Sequence, residues 1–322
     1  MTEPPVVDKA RQKCHEILSE VGKAIVGKDE VLESVLIVLL ANGHVLIEDV
    51  PGVAKTLTAE MFARVLGLSF NRIQFVPDLL PGDITGSMVY NSRLEDFEFR
   101  KGPMFTNLLL ADEINRGTPK TQSALLEAMQ ERQVTVDGRN FKLEPPFLVM
   151  ATQNPLEFEG TYPLPEAEVD RFMARLRIGY PSSKAEREIL SRRQSRKRDE
   201  VELLRIVARE EFLSLQGTVE TVYVSPDIQD YIVRIVQATR DDHRVHAGSS
   251  PRGTLALFKL ARARALMRGR DYVIPEDVKS LAMAALAHRI VIRPELWVER
   301  VRGEDIVDDV LDRVPTPGPG ED

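Results

Sequence analysis

Over the first two-thirds of the chain, hydrophobic positions form short continuous runs separated by longer amphipathic stretches. Leu108-Leu109-Leu110-Ala111 and Phe147-Leu148-Val149-Met150 are apolar at every position. That pattern suits strands covered on both faces. Strands are predicted over residues 44–48, 72–76, 107–112, 146–151 and 175–180. Helices are predicted between them, over residues 30–41, 56–66 and 119–131. Strand alternating with helix predicts an α/β unit with right-handed crossovers. Two segments break the rhythm. Residues 86–102 carry Met88-Val89-Tyr90 and Phe97-Glu98-Phe99 around a polar turn, and residues 133–143 carry Val134-Thr135-Val136, Asp137-Gly138 and Phe141. Both predict hairpins, the second through its Asp-Gly turn.

After Pro181 the pattern is helical throughout. Helices are predicted over residues 184–194, 201–215, 225–238, 251–267 and 275–288, with a short last one over 304–314. Ser225-Pro226 and Ile274-Pro275-Glu276-Asp277 read as helix starts. The expected division is an α/β core over 1–181, an all-α domain over 182–314, and a disordered tail over 315–322.

A length of 322 residues agrees with about two domains. With 43% hydrophobic and 29% charged residues, chain-wide disorder is excluded. No apolar run is long enough for a transmembrane helix. Residues 1–10 lack the basic and apolar segments of a secretory signal. The single cysteine, Cys14, excludes an internal disulfide and fits a reducing compartment, so a cytoplasmic protein is expected. A net charge of −7 weighs against a nucleic-acid coat. The basic run over residues 184–198 has no interleaved aromatics and reads as a solvated helix face. His243 and His246 lack a third ligand of the right type and read as part of a polar loop. Trp297 reads as packing or as an interface anchor.

Five short stretches carry candidate chemistry. The first strand runs into Asp49-Val50-Pro51-Gly52-Val53-Ala54-Lys55-Thr56-Leu57 and then a helix. This is the setting of a phosphate-binding loop, which aims backbone N–H groups and a helix N-terminus at phosphates. Lys55 then reaches the β/γ-phosphates and the Thr56 hydroxyl ligates Mg²⁺. The G-x-x-x-x-G-K-[ST] pattern expects glycine where this chain has Asp49 and Ala54. An ordinary strand–turn–helix connection is the competing reading. Leu110-Ala111-Asp112-Glu113 ends an apolar strand in two carboxylates, at the sheet edge where ligands bind in open α/β folds. Asp112 is a candidate for holding Mg²⁺ through water, and Glu113 for activating the attacking water. A solvated helix start is the alternative.

The other three are weaker taken singly. Asn154 follows the next apolar strand, either to sense a γ-phosphate or merely to form an Asn-Pro turn. Arg171 precedes the fifth strand, either to neutralise transition-state charge or to pair with Asp170 or Glu168. Arg252 opens a helix at Gly248-Ser249-Ser250-Pro251-Arg252, either to reach a nucleotide across a cleft or as an exposed loop residue.

The order of these elements resembles the AAA+ ATPases. Glu48-Asp49-Val50-Pro51-Gly52, Ala111-Asp112-Glu113-Ile114-Asn115-Arg116, Gln122-Ser123-Ala124-Leu125-Leu126-Glu127-Ala128-Met129 and Ala151-Thr152-Gln153-Asn154-Pro155 are more closely similar to the MoxR family, over about residues 15–313. The resemblance implies a cytoplasmic ATPase with a five-stranded parallel core and a helical lid. It implies rings, usually hexamers, with ATP and Mg²⁺ between neighbours. By similarity Lys55 and Thr56 are Walker A, Asp112 and Glu113 Walker B, Asn154 sensor 1, Arg171 the arginine finger and Arg252 sensor 2. Val26 and Gly27 fall near the adenine, and the two hairpins correspond to insertions on the ring's substrate side. The implied work is chaperone-like remodelling with a partner containing a von Willebrand factor A domain. A chelatase-type motor, a nucleotide switch that rarely hydrolyses, and a DNA-processing module stand as alternatives.

Overall fold

A computed structural model describes residues 6–155, 160–296 and 299–318. Trp297 and the end of the tail predicted over 315–322 lie outside the described residues. Two helices, α1 (Val6–Val21) and α2 (Asp29–Leu40), lead into β1 (Val45–Glu48), α3 (Lys55–Val65), β2 (Phe70–Gln74) and the short α4 (Pro81–Thr85). A hairpin of β3 (Gly86–Asn91) and β4 (Asp96–Lys101) precedes β5 (Leu108–Asp112) and α5 (Pro119–Glu131). A second hairpin, β6 (Gln133–Val136) and β7 (Arg139–Lys142), precedes β8 (Leu148–Gln153), α6 (Glu166–Val169) and β9 (Ala174–Leu176). The rest is α7 (Ser183–Arg196), α8 (Arg209–Val219), α9 (Pro226–Arg240), β10 (Val245–Ala247), α10 (Pro251–Met267), α11 (Pro275–Leu286), β11 (Val291–Ile292) and α12 (Gly303–Arg313).

Five strands form one parallel sheet in the order β2-β5-β8-β1-β9. Side chains alternate across a strand, and both faces of this one are buried. Leu108, Leu110, Leu148 and Met150 join a core with α1, α2, α3 and the C-terminal helices. Leu109, Ala111, Val149 and Ala151 face a second core built on α5, Phe75 and Phe172. The continuous apolar runs read from the sequence are thus the covered central strands. All five strands being parallel, their C-terminal ends lie on one edge and their N-terminal ends on the other. Those two edges carry the candidate chemistry.

Two helical assignments differ from expectation. The helix predicted over 201–215 begins only at Arg209. Ahead of it the chain is held by tertiary bonds: Ile206 N donates to Val65 O at 2.9 Å, and Leu204 N to the Glu20 carboxylate at 2.8 Å. The first satisfies a carbonyl at the α3 C-terminus that has no partner within its own helix, so tertiary bonding overrides local propensity there. No element is predicted before residue 30, yet α1 buries Ala10, Cys14, Ile17 and Val21 at helical spacing. Strand ends shift by a few residues. The fifth leaves the sheet after Leu176, and Gly179 turns the chain at φ +67°. Both predicted hairpins are present. Phe99 stacks on Phe141 across them, with ring centres 3.8 Å apart. Among the described residues no helix is long and apolar enough to cross a membrane.

Candidate functional site

The loop after β1 reaches the C-terminal edge of the sheet and ends where α3 begins at Lys55. Gly52 and Ala54 both take left-handed backbone, at φ +84° and +61°. Alanine tolerates that conformation at a cost of about 1 kcal/mol, so the missing glycine strains the loop without preventing it. The first turn of α3 carries no acidic residue, which leaves its N-terminus open to an anion. Lys55 Nζ donates to Asp49 O at 2.6 Å, across the mouth of the loop. The Asp49 carboxylate accepts the Val50 and Gly179 amides. Its charge is thereby engaged by backbone amides, and it ties the loop to the turn after β9.

Two strands away, Asp112 is buried at the end of β5. Its two oxygens have different tasks. Oδ1 accepts from Thr152 Oγ1 at 2.6 Å, and the same hydroxyl accepts from Glu113 N at 2.8 Å. Oδ2 faces Thr56 Oγ1 at 3.4 Å and receives Arg72 Nη2 and Nε at 2.7 and 3.1 Å. Glu113 stands in left-handed backbone at φ +54°, the kind of strain that collects at functional sites. Its carboxylate meets Arg116 at 3.0 Å. Asn154 follows β8 and is buried; its carbonyl accepts from Asn115 Nδ2 at 3.4 Å, while Asn115 Oδ1 is buried with no partner among the described residues. A threonine hydroxyl and one carboxylate are hard oxygen donors of the kind Mg²⁺ takes, together with waters and phosphate oxygens. Among the described residues no group of three or more His, Cys, Asp or Glu is arranged to hold a metal by itself.

Val26 and Leu57 line a cavity of about 570 Å³ beside this edge, with Met61 and Ile189 among its apolar walls. That volume is within the range of small-ligand sites. Gly27 lies against α7 so closely that a Cβ there would meet Ala185 Cβ at 2.6 Å. The loop residues, Lys55, Thr56, Asp112, Glu113, Asn154, Val26 and Leu57 therefore gather on one side of the molecule.

Arg171 and Arg252 do not join them. They line a cleft of about 240 Å³ with Gly43, Met129, Arg132 and Lys259. Gly43 precedes β1 and Arg171 precedes β9, neighbours in the sheet, which places the cleft at its N-terminal edge. A four-residue strand such as β1 spans about 13 Å, and β1 lies between Gly43 in that cleft and the Lys55 loop. Arg171 donates to Leu126 O at 3.0 Å, while its Nε has no partner among the described residues. Arg252 reaches Gln130 at 3.2 Å. Next to Arg171, Asp170 accepts from Arg289 Nε at 2.8 Å and from Ser250 Oγ at 3.0 Å. Ser250 caps α10, the helix that carries Arg252. One carboxylate thus bolts the segment before β9 to two elements of the helical region.

Four of these residues were not anticipated. Thr152 is a buried polar residue inside an apolar strand, one step past the partner of Ala111, and that out-of-place polarity was the available signal. Arg72, Asp170 and Arg289 act through neighbours on separate segments, which no local pattern encodes.

Residues 44–174 match the ATPase family associated with various cellular activities (AAA), and residues 237–310 match the AAA lid domain. The chain is 50% identical over 301 residues to the uncharacterized protein YeaC of Bacillus subtilis, covering 93% of each. It is 47% identical over 307 residues to Chaperone MoxR1 of Mycobacterium tuberculosis, covering 92% of this chain and 81% of that one. A crystal structure of a candidate ATPase from Cytophaga hutchinsonii superposes with a TM-score of 0.90 at 41% identity, covering 97% of both chains. With its nucleotide-binding core and helical lid, this chain belongs to the MoxR family of AAA+ ATPases.

Proposed function

We propose that the protein works as a cytoplasmic ring, a hexamer, that hydrolyses Mg²⁺·ATP between adjacent subunits. Its output is chaperone-like remodelling of partner proteins, in concert with a von Willebrand factor A domain protein. The observation that carries this reading is the division of the site across two sheet edges. Arg171 and Arg252 share a cleft one strand length from the Lys55 loop, so they are available to a neighbour's nucleotide and remote from their own.

In this reading the N–H groups of residues 52–56 and the Lys55 ammonium hold the phosphates, with Val26, Gly27 and Leu57 against the base. Thr56 and, through water, Asp112 would hold Mg²⁺, which would supply positive charge beside the phosphates. Glu113 accepts the proton of the attacking water, and Asn154 fixes that water against the γ-phosphate. Arg171 and Arg252 of the adjacent subunit neutralise the charge that develops as the terminal phosphate departs. The engagement of Asp49 by two amides favours hydrolysis over a silent switch, because its charge is kept from the phosphate. We divide the chain near residue 181 into the core that binds nucleotide and the lid that carries Arg252.

Specific ATPase rate measured against protein concentration, for wild type and Arg171→Ala together, tests the reading. A wild-type rate per subunit that rises with concentration, and a variant rate that stays low, is expected. A rate independent of both concentration and Arg171 would overturn hydrolysis between subunits.

A further inference from the structure

The structure assigns to Arg72 the part of a resident counter-cation that Mg²⁺ must displace from Asp112. This rests on the nucleotide-site reading above. Asp112 has one oxygen fixed and one available. Oδ1 is taken by the Thr152 hydroxyl at 2.6 Å, inside the sheet. Oδ2 is the oxygen turned toward Thr56 at 3.4 Å, and hence toward the proposed metal. Arg72 directs two donors at that same oxygen, Nη2 at 2.7 Å and Nε at 3.1 Å.

The placement follows from the sheet. β2 is the edge strand beside β5, in the register Arg72↔Leu110 and Gln74↔Asp112. Two residues apart on one strand, Arg72 and Gln74 share a face. Gln74 Oε1 accepts from Arg72 Nη2 at 2.6 Å, so the guanidinium has an uncharged partner waiting when it leaves the carboxylate. The Arg72 side chain is 48% exposed against 10% for Asp112. The arginine swings at little cost while the aspartate cannot follow it.

Without metal, Arg72 neutralises a buried carboxylate that faces a phosphate loop. With metal, Arg72 and the water shell of the ion contend for Oδ2. Arg72 therefore raises the Mg²⁺ concentration at which nucleotide becomes metal-loaded. No bond is made or broken; one electrostatic partner replaces another.

Binding of a fluorescent ADP analogue to the full-length protein, followed by anisotropy as Mg²⁺ is titrated, reads this without turnover. For Arg72→Gln the Mg²⁺ midpoint is expected to fall roughly three- to tenfold, as suits one half-exposed ion pair with two contacts. Arg116→Gln removes an equal charge from the same edge, but one that pairs with Glu113, and is expected to leave the midpoint within about twofold. A midpoint for Arg72→Gln that stays put or rises overturns the proposal, as does an equal fall in both variants, which would mean net charge alone is at work. Lys55→Ala separates the premises. If it leaves nucleotide affinity intact, the site reading itself fails; if it abolishes binding while Arg72→Gln shifts nothing, only the displacement fails.

Discussion

The two ends of the central sheet are built by opposite rules. At the C-terminal edge, each functional group follows directly on its own strand, and the contacts that set it are short-range or between neighbouring strands: Lys55 with Asp49, Glu113 with Thr152, Asp112 with Thr152 and Arg72. At the N-terminal edge, Arg171 and Arg252 come from different regions of the chain and meet only because Arg289 and Ser250 converge on Asp170. In the proposed reading, one edge binds nucleotide and the other is offered to a neighbour. A subunit that held both functions at one edge would have no use for a neighbour. Separating them by a strand length would make neighbours indispensable.

The sharpest way to break this comparison is to remove the offered edge while keeping the binding one. Arg171→Ala is expected to lower ATP turnover by roughly 10³-fold or more and to leave nucleotide affinity within a few-fold. Glu113→Gln does the reverse, sparing the arginine cleft and lowering turnover by roughly 10²- to 10⁴-fold. Mixed together, the two inactive proteins should regain activity, since an intact Glu113 in one subunit meets an intact Arg171 in the next. Mixed assemblies as inactive as their parents would mean that both edges serve the same subunit.

The same contrast governs what could be read from sequence. The C-terminal edge was legible because strand, loop and helix follow one another within a few residues, and parallel strands deliver all their C-terminal ends to one side. Lys55, Thr56, Asp112 and Glu113 were placed on that one edge in this way, and the covered central strands and both hairpins were found from the same patterns. Thr152 was quoted within its motif yet given no task, since its task depends on the register of β8 against β5. Arg72 looked like one more charge on an edge strand. Asp170 was weighed only as a partner for Arg171, whereas it bonds to residues 80 and 119 positions further along the chain. The helix predicted from 201 failed for a related reason: backbone bonds to Val65 and Glu20 fix that segment, and such bonds leave no periodic trace.

A smaller effect separates scaffold from chemistry at the assembled edge. The Arg289 side chain is 2% exposed and the Asp170 side chain 18%. Burial pushes the Arg289 guanidinium below its ordinary value, while the Asp170 charge opposes the shift. Taking away the carboxylate strands a buried cation, so Asp170→Ala is expected to cost about 3 kcal/mol in denaturant unfolding. Arg171→Ala, whose side chain lines the cleft, is expected to cost less than about 1 kcal/mol. Equal losses in the two variants would show that Arg171 and its support are not distinct. Asp170→Asn, mixed with Glu113→Gln, should also regain part of its turnover, because its own nucleotide edge is untouched.

The least of the expected effects concerns acid, and it too falls on one edge. His44 lies at the start of β1 and lines the arginine cleft. It is fully enclosed, with Nδ1 accepting from Val149 N at 3.0 Å and Nε2 meeting Met129 O at 3.1 Å. Burial, and next the Arg132 charge, hold its pKa down at about 3, against a weaker opposing pull from the Met129 carbonyl. His288, beside Arg289, is lowered in the same direction by burial and then by that arginine. A histidine kept neutral when folded takes up its proton only on unfolding, so the unfolded chain binds more protons below its own pKa of about 6.5. Stability is therefore complete above that pH and declines as pH falls toward the folded value. Between pH 7 and pH 5, His44 alone should account for about 2 kcal/mol of lost stability, with His288 adding to it. Urea unfolding at the two pH values measures the loss, and His44→Gln should flatten the slope by about that amount. An unchanged slope in His44→Gln would move the acid sensitivity to other groups, and with it the claim that the crowded cations of the arginine cleft, rather than the nucleotide edge, set the lower pH limit of the fold.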